Sequence, residues 1–531
     1  MKVFPCCDAK QRIPSLRKWV WIALLFAILP TPGQAQYTYR TNTPPGNTLS
    51  ISGYSGAGGD LFLPEEIHGL PVVRIDEGAF QSQSNLIGVT LPNSIVSIGA
   101  QAFQACSNLT SVTLGTGTVS IGSKAFFSCA NLTGIVIPVG VTSLGDDAFS
   151  GCRKLFTATL GAGLTNLGNN LFYGCTNLSA IVIPDGVLTI GVSTFQACSS
   201  LASVVLRDSL LSIGSNAFFG CTSLTNIVVP DSVSFLGDSA FSGCRKLRSV
   251  TLGSHVPALG DSLFYGCSNL VSVSIPASVS RIGIGAFQSC TNLSTLQIPD
   301  SVESIGSNAF FSCSGLTHVA IPNRVVFLGD AAFSGCRKLS SVSLGSGLTN
   351  IANHLFSGCT NLLEMAIPDG VISIGKFAFN DCRKLLSATI GIGVSLIGES
   401  AFQNCVSLKT IYFKGHAPNA GSGIFHLVTQ ATLLHFADTD GWPPVPDPWS
   451  GLPTQLWLLL RESEFFGMQE GHFGFDVDWA DNKAVTIEAC EDLTENVWTP
   501  VWTNVPTNGI SLFIDTESPQ PRFRIYRVRG Q

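Results

Sequence analysis

Phenylalanine recurs every 23 residues through the middle of this chain, at 80, 103, 126, 149, 172, 195, 218, 241, 264, 287, 310, 333, 356, 379, 402 and 425. A cysteine follows by three residues each Phe from 103 to 402, making fourteen from Cys106 to Cys405. A leucine follows by six residues each Phe from 80 to 402, from Leu86 to Leu408. The unit reads A-F-x-x-C-x-x-L-x-x-V-x-I-P-x-x-V-x-x-I-G-x-x. A unit this short cannot bury its own apolar face, so such units must stack into a solenoid whose stability is shared between neighbours.

Each restricted position has a physical reason. Ile135 and Ile137 are two residues apart and face one side of a short strand. Pro or Gly follows at once (Gly115, Pro138, Gly161, Pro184) and ends the strand. Val141 and Leu144 turn inward again, Gly145 permits a tight bend, and Ala148-Phe149 fill the outer side. One unit carries Thr118 where Val is expected. The period and the L-x-x-L-x-L pattern predict a leucine-rich-repeat solenoid, β-rich, with a parallel concave sheet. A second period lies on the first: FSGCRKL occupies 149–155, 241–247 and 333–339, every 92 residues. Four units were copied as a block, which lengthens a surface rather than building one active site.

The 23-residue unit with its I-P, I-G, A-F and C resembles the BspA-like leucine-rich repeat of bacterial secreted and surface proteins. GYSGAGGDLFLPEEIHGLPVVRIDEGAF resembles that family's first unit, with an inserted segment from Ile67 to Pro71. The resemblance implies export and adhesion or host-protein binding, and no catalysis.

Other signals set the expected organisation. In residues 1–35, Lys10, Arg12, Arg17 and Lys18 precede an apolar run from Trp19 to Leu29, then Pro30, Pro32 and Gly33-Gln34-Ala35. That is the pattern of a secretory signal peptide cleaved near Ala35. The run is shorter than the roughly 20 residues of a membrane span, and no later stretch is long and apolar enough. Residues 36–79 read as an N-terminal capping segment and 80–425 as the repeats. Beyond Phe425 come Trp442, Trp449, Trp457, Trp479, Trp498 and Trp502, and GWPPVPDPWSGLP at 441–453. Residues 426–467 therefore read as a C-terminal cap and Pro-rich linker. Alternation at Phe473, Phe475, Val477 and Trp479, then Val485, Ile487 and Ala489, predicts a small antiparallel β domain over 468–531.

Charge narrows the function classes. The net charge is −6, with only 12% of residues charged. Without residues 1–35 the balance is 24 basic against 34 acidic, and no long basic run exists, so nucleic acid is not an expected partner. No G-x-S-x-G, H-E-x-x-H or G-x-x-x-x-G-K-[ST] occurs, and no catalytic residue, metal ligand or cofactor site is expected. His416, His426 and His435 lack ligand spacing; Asp476, Asp478 and Asp481 lack the Gly and closing Glu of a calcium loop. The fourteen repeat cysteines should be buried free thiols, because equivalent positions in stacked turns point in parallel and hold their Cβ atoms apart. Cys490 stands outside the array. Arg-Lys pairs at 153/154, 245/246, 337/338 and 383/384 could form a stripe for an anionic partner, but Asp146, Asp238 and Asp330 point to local salt bridging instead.

The candidate concave binding face consists of Ser111, Thr113, Thr157, Thr159, Ser249, Thr251, Ser272, Ser274, Ser341 and Ser343, small neutral residues flanking an inward position of each strand. The expected function is an exported non-enzymatic protein that binds a protein or glycan ligand through this array. A passive envelope spacer is the alternative, and an enzyme housed in the C-terminal domain a remote one.

Overall fold

The computed structural model describes residues 37–42, 47–436 and 439–457, together with segments 459–461, 467–469, 472–478, 485–490, 499–504, 510–514 and 525–530. Residues 1–35, expected to be a signal peptide, lie outside the described residues, as do Trp479, Asp481 and Trp498 and the side chains of Asp476, Asp478 and Cys490. No helix occurs among the described residues, and none of them forms a helix long and apolar enough to cross a membrane.

Each turn of the solenoid carries two strands. One, such as Ser111–Thr113, has three residues; the other, such as Ser120–Ile121, has two. The three-residue strands stack in parallel into a broad sheet and the two-residue strands into a narrow one. Pairing is offset by one repeat: Gly134 faces Thr157, Ile135 faces Ala158 and Val136 faces Thr159. The constant 23-residue step thus keeps every inward residue beside its own equivalent. The leucine-rich-repeat solenoid with parallel sheets is the architecture that the periodicity predicts.

The third side of each turn has no strand. Backbone hydrogen bonds still run between turns there, from Phe103 N–H to Ala125 C=O at 2.7 Å and from Phe126 N–H to Ala148 C=O at 2.8 Å. Two residues per turn take the left-handed region to make this coil, for example Lys124 (φ 57°) and Ser128 (φ 58°). Gly145 serves a different purpose from the expected bend. Its φ is ordinary, but a Cβ there would lie 2.3 Å from the Ser123 nitrogen of the previous turn. Close stacking, rather than backbone freedom, requires glycine.

The core is two columns of identical groups. The phenylalanine rings from Phe80 to Phe425 stack one on the next, with centroids 4.9 Å apart at the first step and 5.9 Å at the last. Beside them run the fourteen cysteines, all free and buried. Each Sγ donates to the carbonyl of the Phe 26 residues earlier, as Cys244 does to Phe218 at 3.3 Å and Cys106 to Phe80 at 3.0 Å. The same carbonyl accepts the N–H three residues on, as Phe218 does from Cys221 at 3.1 Å. Cysteine suits this position because it is small, apolar and still a weak donor.

Both ends are covered. Tyr37–Thr41 pairs antiparallel with Leu49–Tyr54, and Tyr54 places its ring 5.4 Å from Phe80. Glu66–Ile67 and Leu70–Ile75 form a hairpin where the inserted segment was read. Past Phe425 the broad sheet continues in parallel through Thr432–His435 to Leu452–Leu456. Trp442 and Trp449 pack against Phe413 there, at 4.8 and 5.7 Å. Farther on, His472–Asp478 pairs antiparallel with Leu459–Arg461, Gly467–Gln469 and Ile510–Ile514. Val485–Cys490 pairs antiparallel with Thr499–Asn504 and Ile525–Gly530. The C-terminal strands are antiparallel, as their alternation predicts.

Candidate binding face

A three-residue strand presents its first and third side chains to one face and its second to the other. In the broad sheet the second faces the core: Val112 is 8% exposed and Val250 5%. The first and third therefore form two outward columns. Ser111, Thr157, Ser249, Ser272 and Ser341 stand in one; Thr113, Thr159, Thr251, Ser274 and Ser343 stand in the other, and all ten are exposed. Register brings neighbours together where the turns are adjacent, Ser249 beside Ser272 and Thr251 beside Ser274.

The hydroxyl surface is not continuous. Val136, Val182, Val205 and Val228 occupy the third position in the intervening turns, exposed by 63, 51, 39 and 59%. These residues share the register of Thr113 and Thr159, a position that the 23-residue alignment marks whatever side chain it carries. Nor is the face flat. A hollow of about 800 Å³ lies over three adjacent strands, lined among others by Ser272, Ser274, Thr295, Gln297, His318 and Ala320. Its polar groups are neutral amides and hydroxyls plus one imidazole, whose Nδ1 lies 3.0 Å from the Thr317 hydroxyl. That arrangement can hydrogen-bond and exclude water.

Among the described residues no three His, Cys, Asp or Glu side chains converge to hold a metal ion. The three histidines near the exit have separate partners or none. His416 Nδ1 accepts the Asp440 N–H at 2.9 Å, whereas His435 is buried against Trp442 with a ring separation of 4.7 Å. Burial also governs the thiols. It pushes Cys152, Cys198 and Cys336 up to about 12, so they stay protonated and poorly nucleophilic.

The Arg-Lys pairs correct the sequence reading. Asp146 uses its carboxylate on Asn169, accepting the backbone N–H at 2.7 Å. Asp330 does the same for Asn353 at 3.0 Å, and Asp238 for Asp261 at 2.8 Å. Stacked turns expose backbone N–H groups that a carboxylate one repeat earlier can reach, and these outcompete a flexible cation. Among the described residues, only the last pair has an ion partner, Arg383 with Asp381 at 3.3 Å.

Comparison with known proteins agrees with this architecture. The family model of the BspA type leucine rich repeat region (six copies) matches residues 73–202, 188–317 and 303–432. No curated protein matches the chain. Among solved structures, a leucine-rich repeat protein from Bacteroides ovatus is 26% identical, covering 71% of this chain and 93% of that one, with a TM-score of 0.46. A leucine rich cell surface protein from Faecalibacterium prausnitzii is 28% identical, covering 72% and 94%, with a TM-score of 0.42. The T. pallidum leucine rich repeat protein is 29% identical, covering 40% and 89%, with a TM-score of 0.35. With about two thirds of its length matched by one repeat model, this chain belongs to the BspA-type leucine-rich-repeat family.

Proposed function

We propose that this is an exported, non-enzymatic protein that binds a protein or glycan ligand through the outer face of its broad sheet. One observation carries the reading: the two outward columns stay solvent-exposed along the array and dip into a neutral hollow between Ser272 and Ala320. Small side chains let a partner approach the backbone, and extended solenoid sheets are the usual binding surfaces of such arrays. Export rests on the basic, apolar and small-residue order of residues 1–35. N-terminal sequencing of the secreted product should begin near Gln36.

The test is a screen of the mature chain against matrix proteins, glycans and cell surfaces, followed by the triple variant Thr159→Glu, Thr251→Glu, Ser343→Glu. These side chains are exposed, so the fold should remain intact while a ligand of this face is lost. A chain that retains no ligand in the screen, or a triple variant that binds as before, overturns the assignment.

A further inference from the structure

The same 92-residue block that lengthens the array also prints one surface pattern several times. The residue after the column Phe is aromatic at every second turn from 127 to 311, as Phe127, Tyr173, Phe219, Tyr265 and Phe311, and Ser150 and Ser242 between them are buried. Tyr173, Phe219 and Tyr265 are exposed by 41, 39 and 43%. Neighbouring strands are about 4.8 Å apart, so these rings recur about every 10 Å along the strandless side. In the turn between Phe127 and Tyr173 stand Arg153 and Lys154. Between Phe219 and Tyr265 stand Arg245 and Lys246, and in the turn after Phe311 stand Arg337 and Lys338. All six cations are exposed, and none has an ion pair among the described residues.

They have no direct ion partner because the carboxylates of these turns point to other groups. Asp146, Asp238 and Asp330 cap backbone N–H groups of the following turn. At the corner after the broad strand, Asp185 pairs with Arg207 at 3.3 Å and Asp369 with Lys414 at 3.2 Å. An acidic chain thus keeps six exposed cations on one edge unpaired.

We propose that this edge binds a linear anionic polysaccharide. Pyranose rings present an apolar face that stacks on Tyr173, Phe219 and Tyr265, while carboxylate or sulfate substituents meet the Arg-Lys pairs. Spacing selects this partner over other polyanions. The cation pairs come about every 20 Å at most, whereas duplex DNA carries a charge about every 1.7 Å of its axis. An anionic membrane surface calls for clusters of about 4–8 basic residues. A dilute charge with ring platforms between is what a substituted glycan offers. The site lies on a different side from the broad face, so the two assignments stand or fall separately.

The experiment immobilises heparin (sulfated), polygalacturonate (carboxylated) and neutral dextran, and measures binding of the mature chain as salt is raised. Retention on heparin or polygalacturonate but not dextran is the expected result, and the two anionic arms tell sulfate from carboxylate recognition. Replacing Arg153, Lys154, Arg245, Lys246, Arg337 and Lys338 by Ser should weaken it by about tenfold or more and flatten the salt dependence. Arg383→Ser with Lys384→Ser, where an ion pair already exists, should change it little. Tyr173→Ser with Tyr265→Ser should weaken binding without altering the salt dependence. Unchanged melting of each variant keeps folding out of the comparison. No retention on either anionic glycan, equal retention of the six-residue variant, or tighter binding to single-stranded DNA or anionic vesicles overturns the proposal.

Discussion

The interior of the array and the cap at its C-terminal end bury similar groups under different rules. Inside the array the core carbonyls find partners in the neighbouring turn, as each column Phe carbonyl from Phe80 to Phe379 does in a Cys Sγ, and among the described residues Gln104 Oε1 is the one buried side-chain atom there without a hydrogen-bond partner. At the cap the repetition stops, and two buried atoms, His435 Nε2 and Trp442 Nε1, have no hydrogen-bond partner. His435 is 4% exposed, donates through Nδ1 to the Phe436 carbonyl at 2.9 Å, and lies flat on Trp442. Translation supplies a partner to every ladder thiol; termination ends that supply. Stability should therefore be robust and uniform in the array and conditional at the cap.

The largest expected effect is in the ring column. Phe241→Ala removes a fully buried ring with stacked neighbours on both sides and should cost about 3–5 kcal/mol, spread to adjacent turns because stability is nearest-neighbour. Trp449→Ala, at a half-buried ring, should cost less and loosen only the end. Hydrogen exchange resolves the two, and equal, local losses would break the comparison.

Acidity and alkali should act on opposite regions. Burial lowers His435 below its ordinary value, so its contribution is present above about pH 6.5 and is lost as pH falls through the folded value. His435→Phe should remove that acid sensitivity of the cap. Burial raises the ladder thiols from 9.0 to about 12 at Cys152 and Cys267, so their contribution is present below pH 9 and is lost as pH climbs toward 12. Melting profiles across pH should show acid loss at the cap and alkaline loss in the array.

The fourteen ladder thiols should resist alkylation at pH 8 until the chain is denatured, since they are buried. Ready labelling in the native protein would mean that the column opens. A smaller effect is expected from Cys244→Ala, about 1 kcal/mol, because the Phe218 carbonyl keeps the Cys221 N–H. Smallest of all, the triple Glu variant of the broad face should shift stability by about 0.5 kcal/mol or less.

Much of this was legible beforehand for one reason. A 23-residue period makes every residue its neighbour's equivalent, so the inward or outward direction of Val112 or Thr113 is set by counting. The ten hydroxyl residues were placed on the outward face this way. Two features escaped. The valines from Val136 to Val228 share that register without a hydroxyl to mark it, and the hollow depends on how three strands curve together, which no spacing encodes.

The repeat by itself determined the solenoid, the stacked rings and the thiol column, because their geometry follows from translation of one short unit. Only the tertiary structure decided where the charges go. Asp146 and Arg153 are seven residues apart in the chain and read as an ion pair, yet the carboxylate turns to the Asn169 N–H that stacking brings within 2.7 Å. A fixed backbone donor costs less entropy to meet than a mobile cation, and that preference frees the Arg-Lys pairs. It depends on contacts one turn away, which the local sequence around Asp146 does not contain.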